Sequence, residues 1–198
     1  MLFLASQSPR RRELLLQLGL EFDVLDVDVP EQHQSGEPPI DYVSRVAREK
    51  AGAGLLQVVA VPGAVVIGAD TEVVLDDDVF GKPVDAEDAA RMLRRLSGRA
   101  HQVVSVVWVV SAGAEEHAVC TSIVEFAELS DAQIAAYVAT GEPFGKAGAY
   151  AIQGRAAAII RRLDGSYSGV MGLPLHETAN LLARVAAGGR EAAQPMCG

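Results

Sequence analysis

LFLASQSPRRRELLLQLG, residues 2–19, holds a strand, a turn and a helix in one short run. LFLAS reads as a short buried strand. Ser8 then stands at the N-cap and Pro9 at N1, a favoured pairing for starting a helix. Leu14, Leu15 and Leu18 face the core, and Gly19 stops the helix. Arg10, Arg11 and Arg12 lie at the positive end of the helix dipole, where acidic side chains are favoured. A strand, a turn and a helix N-terminus form a ready anion site, with backbone N–H groups and Ser8 as donors. Guanidinium groups add bidentate recognition of phosphate. Solvated surface charge, with Glu13, Glu21 or Glu31 as partners, accounts for the same arginines.

The pattern repeats outward from this run. Residues 22–31 alternate apolar and acidic side chains and read as a strand with one wet face. A helix starts near Pro39, with a stripe of Ile40, Val43, Val46 and Ala47 that Lys50 continues. Residues 64–75 read as a buried strand interrupted near Asp70, followed by a turn at FGKP. Asp85 caps a helix that ends before Gly98. Residues 101–113 and 115–129 form neighbouring strands joined around Gly113. SDAQ (130–133) opens a short helix through a capping box. Glycine-punctuated strands and turns fill 146–173, and a last helix starts at Pro174. Helices interleave with strands throughout, so the class is α/β with a mixed sheet and flanking helices. Residues 1–187 are expected to form one domain and 188–198 a frayed tail.

The chain has 198 residues, 49% of them apolar and 22% charged, which suits a globular domain with a real core. A net charge of −9 argues against nucleic acid or an anionic membrane as partner. Two cysteines, Cys120 and Cys197, support neither a disulfide framework nor a zinc site. The apolar start is too short for a signal peptide, and no apolar run approaches the ~20 residues of a membrane span. A cytoplasmic protein is expected. There is no Walker A sequence and no G-x-G-x-x-G. GSYSG (165–169) has Tyr167 where a nucleophile elbow has serine. The four histidines lack ligand spacing, and the D-x-D of LDVDV (25–29) fits the wet face of a strand.

Three further residues stand out. Lys50 lies on an apolar helix stripe, where snorkelling is the usual explanation and an ammonium in a phosphate-binding cleft the alternative. Asp70 follows the small residues Gly68 and Ala69 at the expected end of a strand, the edge where α/β sheets place ligands. Lys82 adds a cation beside the rigid Pro83. Arg10, Arg11, Lys50 and Lys82 with Glu31 and Asp70 form an outfit for a polyphosphate. Cations hold phosphates, carboxylates hold a divalent ion, and one carboxylate deprotonates a water for in-line attack. The residues point to hydrolysis of a phosphate anhydride or ester and do not identify the base.

SQSPRRRELL, the AREKA around Lys50, GADTEVVLDDDVFGKP, AARMLRRLSGRAHQV and KAGAYAIQG resemble, in order and spacing, the blocks of the Maf family of nucleoside triphosphate pyrophosphatases. The resemblance spans nearly the whole chain. It implies an elongated fold of two lobes around a central cleft, similar to inosine triphosphate pyrophosphatases. It also implies cleavage between the α- and β-phosphates with Mg²⁺ or Mn²⁺. Asp70 matches the family's proposed general base; Ser8, Arg10 and Arg11 match its phosphate-binding opening; Glu31, Lys50 and Lys82 match other cleft residues. Glu31 and Asp70 are the expected metal ligands, and Arg12 has no direct role. Arg10, Thr71 and Gln153 match members acting on dTTP and UTP, and a glutamine amide suits the imide edge of uracil or thymine. The same chemistry on 7-methyl-GTP or inosine triphosphate is the alternative, as is a non-catalytic nucleotide-binding regulator of septum formation. The family further implies a homodimer, house-cleaning of the nucleotide pool and a link to arrest of cell division.

Overall fold

The computed structural model describes residues 1–191, with side chains through residue 186. Seven strands form one mixed sheet: β1 (Leu2–Leu4), β2 (Asp23–Val24), β3 (Val65–Leu75), β4 (Asp78–Phe80), β5 (Ala100–Ser111), β6 (Glu115–Phe126) and β7 (Ile160–Asp164). Their order is β2-β1-β3-β5-β6-β7, with β4 alongside β3. β1 is parallel to β2 and β3, while β3, β5, β6 and β7 follow one another antiparallel. The helices are α1 (Pro9–Gln17), α2 (Pro39–Gln57), α3 (Ala86–Leu96), α4 (Asp131–Val138), α5 (Tyr167–Met171) and α6 (Leu175–Glu191). No described helix is long and apolar enough to cross a membrane.

The local signals in the sequence hold at the helix ends. Ser8 caps α1, Asp85 accepts the Asp88 N–H at 2.8 Å, and Ser130 with Gln133 forms the capping box of α4. Gly19 and Gly98 take the positive φ angles, 68° and 67°, that a left-handed stop requires.

The strands depart from expectation in three places. β3 runs unbroken through Asp70, because β5 pairs with every residue from Val65 to Val74. Residues 22–31 contribute only Asp23 and Val24 to the sheet. Their neighbour β1 is three residues long, so the chain leaves the sheet once the Leu25 N–H has donated to the Leu4 carbonyl, and Glu31 comes to meet Lys50 of α2. The tight turn after β3 is Asp76–Asp77, with φ of 53° and 67°, and not FGKP. Two positive φ angles are what a two-residue hairpin turn needs. α6 continues to Glu191, into the stretch expected as a tail, and residues 192–198 lie outside the described ones.

β5 occupies one edge of β3 over nearly its whole length. On the other edge β1 pairs with Val65–Ile67 and β4 with Val73–Leu75. Gly68 to Glu72 therefore have no strand beside them on that edge, and the sheet is open there. α1 and α6 pack one core against Ile67 and Ala69, while α3 and α4 pack another against Val73, Val103 and Phe126. α2 covers the opposite face, with Val43, Val46 and Ala47 buried. A Cβ on Gly68 would lie 2.4 Å from the Ala47 carbonyl oxygen and 2.5 Å from the Ala51 nitrogen. The missing side chain admits the backbone of α2, and Lys50 sits on that same turn.

His101 of β5 is a buried group with a pH consequence. It is 3% exposed, its Nε2 lies 2.9 Å from the Tyr150 hydroxyl, and the rings of Phe126 and Tyr150 meet it edge-on. Burial pushes its pKa down to about 4. A base with a depressed folded pKa contributes stability that is complete above the unfolded value of 6.5 and lost as pH falls toward 4. The loss at full protonation of the unfolded chain is on the order of 3 kcal/mol. Urea unfolding of wild type and His101→Gln at pH 7.5 and 4.5 checks this: the variant is expected to lose most of the decline across that window. An equal decline in both proteins contradicts it.

Candidate active site

A cleft of about 590 Å³ opens at the unpaired stretch of β3. Its wall begins with the β1–α1 turn from Ser6 to Arg11, continues through Glu31, Lys50 and Lys82, and closes with segments 145–153 and 170–172. Ser8, Thr71 and Gln153 also line it, so every site residue expected from the sequence faces one cavity. Arg12 is exposed and lies outside this cleft.

The centre is a chain of charges. Lys50 Nζ donates to Asp70 Oδ1 at 2.8 Å and to Glu31 Oε1 at 2.6 Å, while Lys82 donates to Glu31 Oε2. Lys50 is 7% exposed, so its ammonium enters the cleft instead of snorkelling to solvent. α2 brings it there because Gly68 lets the helix backbone close on β3. Burial would raise the Glu31 carboxyl, but hydrogen bonds and charge from Lys50 and Lys82 prevail and hold its pKa at about 2. Asp70 is 4% exposed, and its Oδ2 is buried without a hydrogen-bond partner among the described residues.

Arg11 approaches Asp70 from α1, 3.8 Å from Oδ1. Its Nε donates to the Gly172 carbonyl at 2.8 Å, which fixes the guanidinium between α1 and the loop after α5. Thr71 lies on the other face of β3 from Asp70, its hydroxyl 2.8 Å from that of Ser105, which in turn donates to the Gly169 carbonyl at 2.7 Å. Thr71 is therefore tied into the wall that carries residues 169–172. Ser8 keeps a structural task, accepting the Arg11 N–H at 3.5 Å. Arg10 makes no ion pair among the described side chains. Burial, then the charge of Arg11, lowers its pKa, with Glu13 opposing.

Gln153 is exposed in a segment held by one carboxylate. Glu142 accepts the backbone N–H groups of Arg155 at 2.9 Å and Ala156 at 3.2 Å, and the Tyr137 hydroxyl at 2.7 Å. Tyr137 in turn accepts the Ala151 N–H at 3.3 Å. The pair grips the chain on both sides of Gln153.

Sequence reasoning missed Glu72 and Lys146. Glu72 lines the cleft, is 5% exposed, and has a buried Oε2 without a partner. Burial, with the charges of Asp70 and Glu31, raises its pKa well above the usual carboxylate range, and Lys82 and Lys50 oppose this. A signal was present: Asp70 and Glu72 are two apart on one face of a strand that is otherwise apolar there. Lys146 lines the cleft near Arg10, whose charge adds to burial in lowering the lysine's pKa. Nothing in its local sequence separates it from a surface lysine.

Fold and site together define a mixed α/β protein with an open cleft, cationic at its rim and carboxylate at its floor. The chain belongs to the Maf family: the family described as "Maf-like protein" matches residues 1–185. Among similar proteins, the dTTP/UTP pyrophosphatase of Xanthomonas euvesicatoria pv. vesicatoria is 61% identical over 184 residues, covering 92% of this chain and 97% of that protein. The nucleoside triphosphate pyrophosphatase of Xylella fastidiosa (strain M23) is 57% identical with the same coverage. Of solved structures, the Staphylococcus aureus Ham1 protein is 14% identical, covers 95% of this chain and 98% of its own, and aligns with a TM-score of 0.46.

Proposed function

We propose that this protein is a nucleoside triphosphate pyrophosphatase that hydrolyses dTTP, UTP and related modified pyrimidine nucleotides to the monophosphate and pyrophosphate. One observation carries the reading: a buried aspartate with one oxygen clamped by Lys50 and the other unpartnered, on the floor of a cation-rimmed cleft. Arg10, Arg11 and the N-terminus of α1 bind the phosphates, with Lys82 adding charge at the rim. Lys50 fixes Asp70 Oδ1 and leaves Oδ2 to accept the proton of an attacking water. The water oxygen bonds to the α-phosphorus and the bridging oxygen departs with pyrophosphate. Gln153 meets the imide edge of the base, donating and accepting at once. The names of relatives that are 61% and 57% identical support the same activity.

A divalent cation, Mg²⁺ or Mn²⁺, fits this floor. The unpartnered Asp70 Oδ2 is a hard oxygen donor with more than one lone-pair site, so it serves both cation and water. Among the described residues no three His, Cys, Asp or Glu side chains group closely enough to hold a metal by themselves. Phosphate oxygens and water would therefore complete its shell, as is usual for Mg²⁺. Once bound, the ion neutralises and orients the phosphates. Glu31 stands near as the other expected ligand, with both oxygens on lysines. A homodimer acting in the cytoplasm, as the family implies, completes the proposal.

A panel of triphosphates assayed for pyrophosphate with Mg²⁺ and with Mn²⁺ tests this. dTTP and UTP are expected to exceed inosine triphosphate and 7-methyl-GTP in kcat/KM by about tenfold or more, some 1.4 kcal/mol of discrimination. Preference for a purine overturns the pyrimidine reading, and binding without turnover of any triphosphate overturns the enzyme.

A further inference from the structure

The chemistry proposed above uses Asp70 and leaves its neighbour Glu72 without a task. On the face of β3 that α2 covers, Val66, Gly68, Asp70, Glu72 and Val74 succeed one another. Asp70 and Glu72 are the charged members of that row, and both fall on the stretch with no strand beside it. Glu72 is 5% exposed and lines the cleft, and its side chain makes no ion pair or hydrogen bond among the described residues although Lys50 and Lys82 line the same cavity. Those lysines are spent on Asp70 Oδ1 and on both oxygens of Glu31. Two buried oxygens, Asp70 Oδ2 and Glu72 Oε2, are left without partners in one cavity. Burying an unpaired carboxylate is costly enough that buried charges are found paired or on metals.

We propose that Glu72 is a ligand to the divalent cation, sharing it with Asp70 on the open edge of β3. Two carboxylates plus phosphate oxygens and water make an ordinary Mg²⁺ or Mn²⁺ shell. Glu31, with each oxygen held by an ammonium, then serves to place Lys50 and Lys82 and does not bind the ion. The assignment rests on the pyrophosphatase reading only for the ligands that the substrate supplies.

The test is Mn²⁺ binding, followed by the EPR signal of the free aqueous ion, with Mn²⁺ alone and with α,β-imido-dUTP added. Glu72→Gln keeps the shape and removes the charge. Its Mn²⁺ affinity is expected to fall by about tenfold or more, and the rise in Tm that Mn²⁺ confers on the wild type is expected to shrink with it. Metal-free Glu72→Gln is expected to melt at or above the wild-type temperature, which separates ligand loss from misfolding. A competing role, a neutral carboxylic acid that donates a hydrogen bond to the nucleotide, is reproduced by glutamine. Wild-type Mn²⁺ affinity in Glu72→Gln, with loss only in Asp70→Asn, therefore overturns the assignment. If the nucleotide reading is wrong, the imido analogue adds nothing to Mn²⁺ affinity in either protein, while the difference between them persists with the ion alone.

Discussion

Replacing Asp70 with asparagine is expected to lower kcat for pyrophosphate release by about 10²–10⁴-fold, the range that a positioned general base contributes. Nucleotide binding without divalent cation is expected to survive, because the proposed phosphate contacts are Arg10, Arg11 and the α1 N-terminus and not the carboxylate. The geometry makes the substitution clean. Asparagine retains an oxygen for Lys50, which donates to Oδ1 at 2.8 Å, so the ammonium keeps its place. What is lost is the basicity of Oδ2 and its share of the cation; that oxygen has no hydrogen-bond partner among the described residues. Steady-state release of pyrophosphate, paired with equilibrium binding of α,β-imido-dUTP in EDTA, separates the two quantities. Near-wild-type turnover in Asp70→Asn removes it as the base. Equal loss of binding and turnover makes it a binding residue instead.

Lys50→Met is the second large effect, and it falls on stability as well as activity. The ammonium is 7% exposed and bridges Asp70, itself 4% exposed, to Glu31. Removing one member of a buried pair leaves the other charge uncompensated, at about 3–5 kcal/mol. For a chain of this size that is a fall in Tm of roughly 6–20 °C. The loss arises from stranding Asp70 beside Glu72, so Asp70→Asn in the same chain is expected to restore much of it. Such coupling is the mark of residues in direct contact. Thermal unfolding of the two single variants and the double variant measures it. Additive losses in the double variant contradict the pairing, and a Lys50→Met protein within 1 °C of wild type, against the roughly 6–20 °C fall expected, contradicts the buried bridge.

Much of the fold was legible because helix signals are local. Ser8 with Pro9, Asp85, and the Ser130–Gln133 box each satisfy N–H groups within four residues of themselves. The long hairpin of β5 and β6 was legible for the same reason, its two strands being adjacent in the chain. Residues 22–31 misled because alternation says that a strand is compatible, not that a neighbour exists to pair with it. β1 pairs in register with Asp23 and Val24 and takes one last bond, from the Leu25 N–H to the Leu4 carbonyl. The expected break in β3 failed for the converse reason: β5 carries a ladder past Asp70 that no local pattern announces.

The candidate site divides in the same way. The kinds of groups that a polyphosphate needs were readable from residue types and from resemblance to a known family; that they line one cleft was not. Lys50 misled as a lone residue, since a lysine on an apolar stripe usually snorkels. Its burial depends on Gly68, eighteen positions away, whose missing Cβ lets the helix backbone come close. Glu72 was passed over because a glutamate in a strand is ordinary unless both its burial and its lack of partners are known.

By itself, then, the sequence determined the α/β class, the helix ends, the central hairpin and the stock of cations and carboxylates, all properties of neighbours along the chain. Only the tertiary structure decided that β1 and β4 share one edge of β3 and leave Gly68–Glu72 open between them. That opening turns two carboxylates of a buried strand into the floor of a cleft. It arises from pairings between strands far apart in the chain, which no residue specifies alone.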